Sequence, residues 1–353
     1  MAAKYIALAG ELRRLCARMR QEGRRRLPGE SELCRSYGCS RQTVRRALEL
    51  LAREGLILRL RGSGTYLAGG AARGGRVAVV TQSAEEYVYP RLLREIETQL
   101  ALAGLSADFY SSENLVARER ELLTQLLSAP PAGLLLECAR SALPSPNLAL
   151  LERLAELGVP LVFLRALPAG LEGFPCVRED DAAGAALLVR FLRGKGHEHI
   201  AAILRRDDCA GTERYRGFVS ALLSSGGTLH ERSVLWLDGG DREDVLSADS
   251  PLLERFVRER LSPCTAVLCH SDELAHALIR CLLRQGLRVP EDVAVVGFDN
   301  SHYCLLGPVP ITSLAHERQR PGSAAAGLLL ELLKGREAPS VLLPWTLRER
   351  ESG

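Results

Sequence analysis

The sequence predicts a small, basic, mainly helical domain that ends in a β-hairpin and precedes a much larger α/β region. Short amphipathic patterns fill the first 54 residues. A glycine-rich stretch, LAGGAARGGR from Leu67 to Arg76, then interrupts the periodicity and is typical of a flexible linker. Beyond it, apolar strand patterns alternate with amphipathic helical ones, which is typical of parallel sheets covered on both faces.

The N-terminal patterns predict three helices. The first spans Tyr5–Gln21. A second begins at Pro28 and stops at Gly38, a residue suited to a left-handed helix end. Ser40 is a good N-cap for a third helix that runs to about Glu54. Two helices joined by a tight glycine turn are typical of a helix-turn-helix.

The third helix is predicted to carry an apolar arc formed by Val44, Ala47, Leu48 and Leu51. The opposite, polar face contains Arg41, Gln42, Arg45, Arg46 and Glu49. The stretch LILRLRGSGTYL follows it and predicts two strands that turn at Gly62–Gly64. A hairpin in this place makes the domain a winged helix-turn-helix.

Charge is distributed unevenly along the chain. Residues 1–76 contain 17 Lys and Arg against six Glu and no Asp, a net charge of +11. The remaining residues contain 29 basic and 37 acidic side chains, a net charge of −8. A small domain this basic repels itself unless it meets a polyanion, so a nucleic acid is the predicted partner. Double-stranded DNA is the form that a helix-turn-helix binds. A solvated basic face without a ligand is the alternative.

The stretch LPGESELCRSYGCSRQTVRRALELLAREGLILRLRGSGTYL resembles the GntR-type DNA-binding domain, and the resemblance covers about residues 4–67. It implies DNA contact by Arg41 and Arg45 and places the wing glycine, Gly62, at the minor groove. The family often has Arg where this chain has Ser31, so Glu30 beside it is a candidate to accept from a cytosine amino group. The implied DNA-binding residues are Glu30, Ser40, Arg41, Gln42, Thr43, Arg45, Arg46, Arg61, Gly62 and Ser63.

Two of these assignments have an alternative. Arg45 and Glu49 are i,i+4 neighbours on the predicted helix and could simply pair on its surface. For Arg46, Arg59 and Arg61, contact with phosphate is favoured over reading of bases.

The larger part resembles the ligand-binding domain of LacI/GalR-type repressors, which is similar to periplasmic sugar-binding proteins. The motifs that carry this resemblance are VREDDAAG, GHEHIAAI, RYRG, SDELA, VPEDVAVVGFDN and PITSL, in that order over about 270 residues. The implied organisation is a DNA-binding domain (1–70), a linker (71–76) and an effector-binding and dimerisation domain (77–353). The implied N-lobe covers about 77–176 and 312–335, and the C-lobe about 177–309 and 336–353.

In open α/β sheets, ligands bind beyond the carboxyl ends of the strands. Polar residues at those predicted ends, together with positions carried over from the family, give an expected effector site of Ser83, Glu137, Arg165, Arg214, Ser271, Asp272 and Asp299. Arginine and carboxylate side chains can each bind two neighbouring hydroxyls, which suits a polyhydroxyl compound. Asp180, Asp181 and Asp272 could instead cap helices or support the hinge.

Other classes of protein are not favoured. No apolar run is long enough to span a membrane and the N-terminus is unlike a signal peptide, so a cytoplasmic location is expected. The ten cysteines form no C-x-x-C pair, and no third ligand lies near His197 and His199 in the sequence, so neither a metal nor a cofactor is expected. No nucleophile elbow, P-loop or acid–base pair indicates an enzyme.

The combination of a GntR-type head and a LacI-type body resembles regulators of the arabinose-repressor type. It implies a homodimeric repressor whose operator binding is relieved by a small effector, with a carbohydrate such as arabinose as first candidate. One alternative is a corepressor-dependent regulator that senses a nucleoside, a sugar phosphate or another metabolite. A stand-alone sugar-binding protein or a sugar-processing enzyme is less favoured.

Overall fold

The computed structural model describes residues 4–21, 27–53, 56–60, 64–67, 75–85, 87–317 and 319–353. Within these residues, three helices and a hairpin precede two six-stranded sheets flanked by helices. The predicted fold class, a winged helix-turn-helix followed by a two-lobed α/β body, is confirmed.

The head comprises the elements between residues 4 and 67. They are α1 (Lys4–Gln21), α2 (Glu30–Tyr37), α3 (Arg41–Arg53), β1 (Ile57–Leu60) and β2 (Gly64–Leu67). β1 and β2 are antiparallel, with Leu60 opposite Gly64. The apolar arc of α3 packs with the inner faces of α1 and α2 into one core that includes Leu12, Leu33, Val44, Leu48 and Leu51. Each such side chain contributes about 1.5–3 kcal/mol by leaving water.

One residue determines where α2 ends, and another determines where α3 begins. Gly38 has a φ of +60° and donates its backbone N–H to the Cys34 carbonyl, which closes α2 as predicted. The Ser40 hydroxyl accepts from the Thr43 N–H at 3.2 Å, the predicted cap of α3. The predicted start of α2 at Pro28 is wrong, because the Gly29 carbonyl accepts the first helical bond, from Leu33, and makes Gly29 the cap.

The body alternates strands and helices as the sequence predicts. Its elements are β3 (Arg76–Thr81), α4 (Tyr89–Leu102), β4 (Ser106–Ser111), α5 (Val116–Ser128), β5 (Gly133–Leu136), α6 (Leu148–Glu156), β6 (Leu161–Leu164), β7 (Cys176–Glu179), α7 (Asp181–Gly194), β8 (Ile200–Arg205), α8 (Cys209–Ser224), β9 (Val234–Leu237), α9 (Arg242–Leu246), α10 (Pro251–Arg260), β10 (Ala266–Cys269), α11 (Asp272–Arg284), β11 (Ala294–Phe298), β12 (Thr312–Ala315), α12 (Pro321–Leu333), β13 (Val341–Leu343) and β14 (Thr346–Arg348). No helix among the described residues has the length and apolar character needed to span a bilayer.

The first lobe is built on the parallel sheet β13-β7-β6-β5-β3-β4. Its central strands β3, β5 and β6 are apolar and almost wholly buried because helices cover both faces. One face packs on α4 and α12 through side chains that include Ile96 and Leu329. The other packs on α5 and α6 through side chains that include Leu123 and Leu151.

The second lobe is built on the sheet β14-β12-β11-β10-β8-β9, in which only the edge strand β14 is antiparallel to its neighbour. α7 and α8 cover one face, whereas α9, α10 and α11 cover the other. α7 and α8 approach closely at Gly217, where an added Cβ would lie 2.0 Å from the Ala182 carbonyl oxygen. This contact gives the glycine of the RYRG motif a packing role.

Within the described residues, the chain crosses between the lobes after Glu179, after Ala315 and after Leu343. The predicted lobe boundaries at 176/177, 312 and 335/336 are therefore wrong by several residues. β7 and β13 belong to the first lobe and β12 to the second, where it pairs with β11. Short apolar strands look alike in either sheet, so periodicity does not indicate which sheet a strand joins.

Candidate functional site

The outer face of α3 is polar and exposed, as predicted for a recognition helix. Arg41, Gln42, Arg45 and Arg46 are exposed, whereas Val44, Ala47 and Leu48 are buried. Thr43 is half-buried, and its hydroxyl lies 2.9 Å from that of Ser40, so both side chains serve the start of the helix. Four long polar side chains therefore project from α3 towards solvent.

Side chains of α2 orient two of these arginines. Arg41 donates to the Ser31 hydroxyl at 3.1 Å, and Arg45 donates to the Glu30 carboxylate at 3.1 and 3.3 Å. The structure pairs Arg45 with Glu30 rather than with Glu49, the partner considered from the sequence. Contact between Glu30 and a base would require that pair to separate. The predicted wing-tip residues Arg61, Gly62 and Ser63 lie outside the described residues.

In the body, the carboxyl ends of three first-lobe strands bring charged side chains together. Glu137 follows β5, Arg165 follows β6, and Glu179 ends β7. The Arg165 guanidinium lies 3.4 Å from a Glu137 oxygen and 3.6 Å from a Glu179 oxygen. Arg165 is thus held between two buried carboxylates, one of them not identified from the sequence.

Glu137 is 3% exposed and has further donors. The Tyr89 hydroxyl and the Gln82 backbone N–H each donate to its carboxylate at 3.2 Å. Burial raises the pKa of Glu137, and the charge of Arg165 limits the rise. Ser83, the third predicted residue of this lobe, is half-buried, and its carbonyl accepts from the Thr81 hydroxyl at 2.7 Å.

Arg214 on α8 is 1% exposed. It pairs with Asp181 at 2.8 Å, donates to the His270 carbonyl, and lies 4.0 Å from the centre of the Phe298 ring. Burial lowers the pKa of Arg214, but the charge of Asp181 outweighs it and leaves that pKa raised. The predicted ligand Arg214 therefore enters the cleft as part of a buried ion pair.

Asp299 follows β11 in a left-handed backbone conformation, with a φ of +93°. Its carboxylate accepts from the Tyr87 hydroxyl, which also accepts from the Asp272 N–H at 3.1 Å. Tyr87 belongs to the segment after β3, so this hydroxyl joins the first lobe to the second. Sequence reasoning missed Tyr87, and its neighbours in EEYVYP give no signal that could have identified it.

The other predicted second-lobe residues have internal partners. Asp272 is fully buried and accepts from the Ser313 hydroxyl at 2.5 Å and the Ser301 N–H at 2.7 Å. Burial, together with the charge of Asp299, raises the pKa of Asp272 to about 7. Ser271 caps α11 by accepting from the Leu274 N–H. The contacts of Asp272 match the supporting role considered as its alternative, whereas the capping role of Ser271 was not predicted.

A second set of contacts joins the lobes at the other end of the cleft. Asn114 donates to the Asp207 carboxylate at 2.9 Å, and the Cys209 N–H donates to the Ser141 hydroxyl at 3.0 Å. Asp207 is 3% exposed and also binds Arg205. None of these residues was predicted, because each contact pairs segments more than 60 residues apart.

The lobes close on a cavity of about 60 Å³, and the polar residues that line it are Arg91, Glu95, Arg165, Glu179, Asp299 and His316. This volume holds a few water molecules. A larger molecule can enter only if the lobes move apart. In the part of the chain that is described, no cluster of three or more His, Cys, Asp or Glu side chains could hold a metal ion.

A winged helix-turn-helix joined to a two-lobed α/β body with a polar interlobe cleft defines a DNA-binding transcriptional regulator that responds to a small metabolite. Residues 4–67 match the model of bacterial regulatory proteins of the gntR family, and residues 189–353 match that of a periplasmic binding protein-like domain. The chain is 30% identical to the arabinose metabolism transcriptional repressor of Geobacillus stearothermophilus, over 96% of this chain and 93% of that protein. The chain belongs to this family of GntR-headed repressors.

Solved structures agree with this assignment. A complex of the transcriptional regulator CelR with cellobiose aligns with a TM-score of 0.69 and 28% identity over 89% of this chain and 90% of that one. A transcription regulator GntR from Chromobacterium violaceum aligns with a TM-score of 0.67 and 26% identity over 78% of this chain and 98% of that one. The predicted resemblance, fold class and class of function are confirmed.

Proposed function

We propose that this protein is a cytoplasmic homodimeric repressor that binds operator DNA through α3 and the wing and releases it when a neutral sugar enters the cleft. The observation that carries the proposal is the presence in one chain of an exposed arginine face and of a cleft whose polar groups join two lobes. The arabinose repressors and the cellobiose-bound regulator among its relatives make L-arabinose the first candidate.

We expect a dimer because one recognition helix contacts only a short stretch of DNA. A single recognition helix contacts only a few base pairs, so useful specificity requires two on a palindromic or nearly palindromic site. Arg41 and Arg45 are the proposed readers of bases, since they lie on the exposed face and are held in place by α2. Arg46 and the wing residues are proposed to contact phosphate.

The charges of the cleft support a neutral effector. Arg214 is neutralised by Asp181, and Arg165 lies between Glu137 and Glu179. Neither arginine brings an uncompensated positive charge to a phosphate or carboxylate. The carboxylates of Glu137 and Asp299 can accept hydrogen bonds from sugar hydroxyls. These pairings argue against the sugar-phosphate alternative.

The proposed switch uses the contact between Tyr87 and Asp299. The Tyr87 hydroxyl donates to Asp299 as a sugar hydroxyl would, so the sugar and Tyr87 compete for the same acceptor. When a sugar displaces the Tyr87 hydroxyl from Asp299 and also binds Glu137 and Arg165, the position of one lobe relative to the other changes. In a dimer joined through the body, that change alters the spacing of the two heads.

The sugar is proposed to be bound and released unchanged, without catalysis. The relatives named above are transcriptional regulators. In addition, Asp272, an acid whose pKa is raised to about 7, is fully buried and hydrogen-bonded inside the second lobe. It is therefore poorly placed to act as a general acid.

A thermal-shift series tests the class of effector. L-Arabinose at saturation is expected to raise the melting temperature, because a ligand that binds only the folded state adds RT ln(1 + [L]/Kd), about 2.7 kcal/mol at a hundredfold excess over Kd. The matched compound, arabinose 5-phosphate, is expected to give a shift near zero, since Arg91, Arg165 and Arg214 are each paired with carboxylates. A larger shift with the phosphate would overturn the proposal of a neutral effector.

A further inference from the structure

Within the described residues, three chain crossings join the lobes. The side chain of His316, which lies in the second crossing, contacts the first and the third. His316 follows β12 directly and so begins the second crossing. Its Nε2 lies 2.9 Å from a carboxylate oxygen of Glu179, which begins the first crossing. Its Nδ1 lies 3.0 Å from the carbonyl oxygen of Pro344, in the third crossing.

The imidazole ring also stacks on Trp345 of the third crossing. The ring centres lie 3.8 Å apart and the planes differ by 28°. Trp345 in turn contacts the Phe298 ring at 5.5 Å, edge to face. We call His316, Glu179, Pro344 and Trp345 the crossing cluster. Its members lie within the segments that must bend when the lobes move.

The hydrogen-bond partners determine the protonation state of His316. A peptide carbonyl can only accept, and an ionised carboxylate can only accept. A neutral imidazole has one N–H and cannot donate to both. Both bonds therefore form together only when the ring is an imidazolium, which also stacks favourably on the Trp345 face.

Charged groups surround the ring from several elements. Glu179 ends β7, Arg165 follows β6, and Asp299 follows β11, all three lining the same small cavity as His316. α4 contributes Arg91 and Glu95 to this cavity, and these two side chains pair with each other at 3.2 Å. The Arg214–Asp181 ion pair of α8 and α7 lies beyond Glu179 and interacts with it. On the outer side, Glu317 beside His316 pairs with Arg348 of β14 at 2.6 Å.

Two pKa shifts agree with the geometry. Burial lowers the pKa of His316, but the hydrogen bond and charge of Glu179, the Pro344 carbonyl and the charge of Asp299 together leave that pKa raised. Burial raises the pKa of Glu179, but Arg165 and His316 outweigh it and bring that pKa down to about 2. His316 and Glu179 are therefore both charged in the arrangement of the lobes that this structure shows, which we call the closed arrangement.

We propose that His316, as an imidazolium, is a positioning residue that fastens the three crossings in the closed arrangement and so makes effector binding depend on pH. It acts through Glu179, which holds Arg165, and through Trp345. The link to effector binding rests on the proposed function, whereas the link between protonation and closure does not.

The direction of the pH effect follows from the sign of the shift. A histidine whose pKa is raised in the closed arrangement stabilises that arrangement fully below the ordinary value of about 6.5. The contribution is lost as the pH rises through the raised pKa, because one ring nitrogen then faces an acceptor without a proton. If opening lowers the pKa of His316 by one unit, the closure equilibrium weakens about tenfold over this range.

Tryptophan fluorescence of the full chain tests the protonation directly. The sequence has two tryptophans, and Trp236→Phe leaves Trp345 as the single indole. A stacked imidazolium quenches indole emission, so emission is expected to rise as the pH increases from 6 to 9. His316→Gln is expected to remove this transition, whereas His197→Gln, which removes a histidine bonded to Thr265 elsewhere in the second lobe, is expected to leave it. A transition that persists in His316→Gln, or is absent from the parent, overturns the proposal.

Closure is tested without any ligand by small-angle X-ray scattering of the same proteins. The parent is expected to have a larger radius of gyration at pH 9 than at pH 6, and His316→Gln is expected to show no such difference. Equal radii in the parent at the two pH values overturn the proposal. A circular-dichroism melt of His316→Gln checks that the variant is folded. If it is not, His316→Asn takes its place.

Calorimetric titration with L-arabinose then tests the link to binding. A sugar enters only when the lobes move apart, so the apparent affinity of the parent is expected to be about tenfold stronger at pH 9 than at pH 6, and that of His316→Gln to be independent of pH. A parent affinity independent of pH overturns the proposed link. If L-arabinose binds at neither pH, the proposed function has failed at its choice of sugar, and fluorescence and scattering still decide whether His316 governs closure.

Discussion

Replacing both Arg41 and Arg45 with alanine is expected to abolish specific operator binding. Each bidentate contact between arginine and guanine contributes about 1–3 kcal/mol of discrimination. A dimer uses each residue twice, so the double variant is expected to lose at least about 4 kcal/mol, a thousandfold in Kd. Stability of the head should change little, because the pair between Arg45 and Glu30 is exposed and such pairs contribute about 0–1 kcal/mol.

The measurement is titration of labelled operator and of scrambled DNA at one salt concentration, since phosphate contacts make affinity strongly dependent on salt. Arg14→Ala is the control for charge, because it removes one positive charge from an exposed position on α1, where the side chain pairs with Glu11. The control removes one charge and the double variant two, so a general role for basicity predicts that the control loses about half as much binding free energy as the double variant. Operator binding by the double variant at parental affinity would show that the recognition face is assigned wrongly.

Asp299→Asn is expected to remove the response to sugar while leaving operator binding without sugar intact. Asparagine keeps the shape of the side chain and tolerates the left-handed backbone at φ +93° better than alanine does. It loses the charged acceptor for a sugar hydroxyl, and we expect sugar affinity to fall about ten- to a hundredfold, since a hydrogen bond to a charged group contributes about 1.5–3 kcal/mol. Calorimetry with L-arabinose measures the loss.

Asp180→Asn is the control for this variant. Asp180 lies next to the first crossing and accepts from the Ala183 N–H at 3.2 Å as the cap of α7. Asparagine caps helices about as well as aspartate, so the control removes a nearby negative charge without removing the cap. If both variants lose sugar binding equally, sugar affinity depends on the total negative charge near the cleft and not on a hydrogen bond to the Asp299 carboxylate.

The sequence predicted the α3 face well because helical periodicity is a local property. Val44, Ala47 and Leu48 are buried, whereas Arg41 and Arg45 are exposed, and Gly38 and Ser40 end and start helices through their own backbone and side-chain chemistry. These features depend on residues only a few positions apart. The partners of the two arginines, Ser31 and Glu30, depend on how α2 packs against α3 and were not predicted.

The cleft was predicted in part. Strand ends indicate where Glu137, Arg165 and Asp299 lie, since they follow β5, β6 and β11. Tyr87 and His316 were missed because their roles come from the crossings and from a left-handed backbone at Tyr87, with a φ of +55°. The contacts of Tyr87 with Asp299 and of His316 with Glu179 join segments more than 100 residues apart, and no pattern within one segment indicates them.

Reciprocal titration of operator and sugar tests the central claim most directly. The Kd of labelled operator is measured with and without saturating L-arabinose, and the Kd of L-arabinose with and without saturating operator. A switch predicts that sugar weakens operator binding and that operator weakens sugar binding by the same factor, with a hundredfold effect corresponding to about 2.7 kcal/mol of coupling. Operator affinity that is unchanged at saturating sugar, or strengthened by it, would contradict release of DNA by an effector in the cleft.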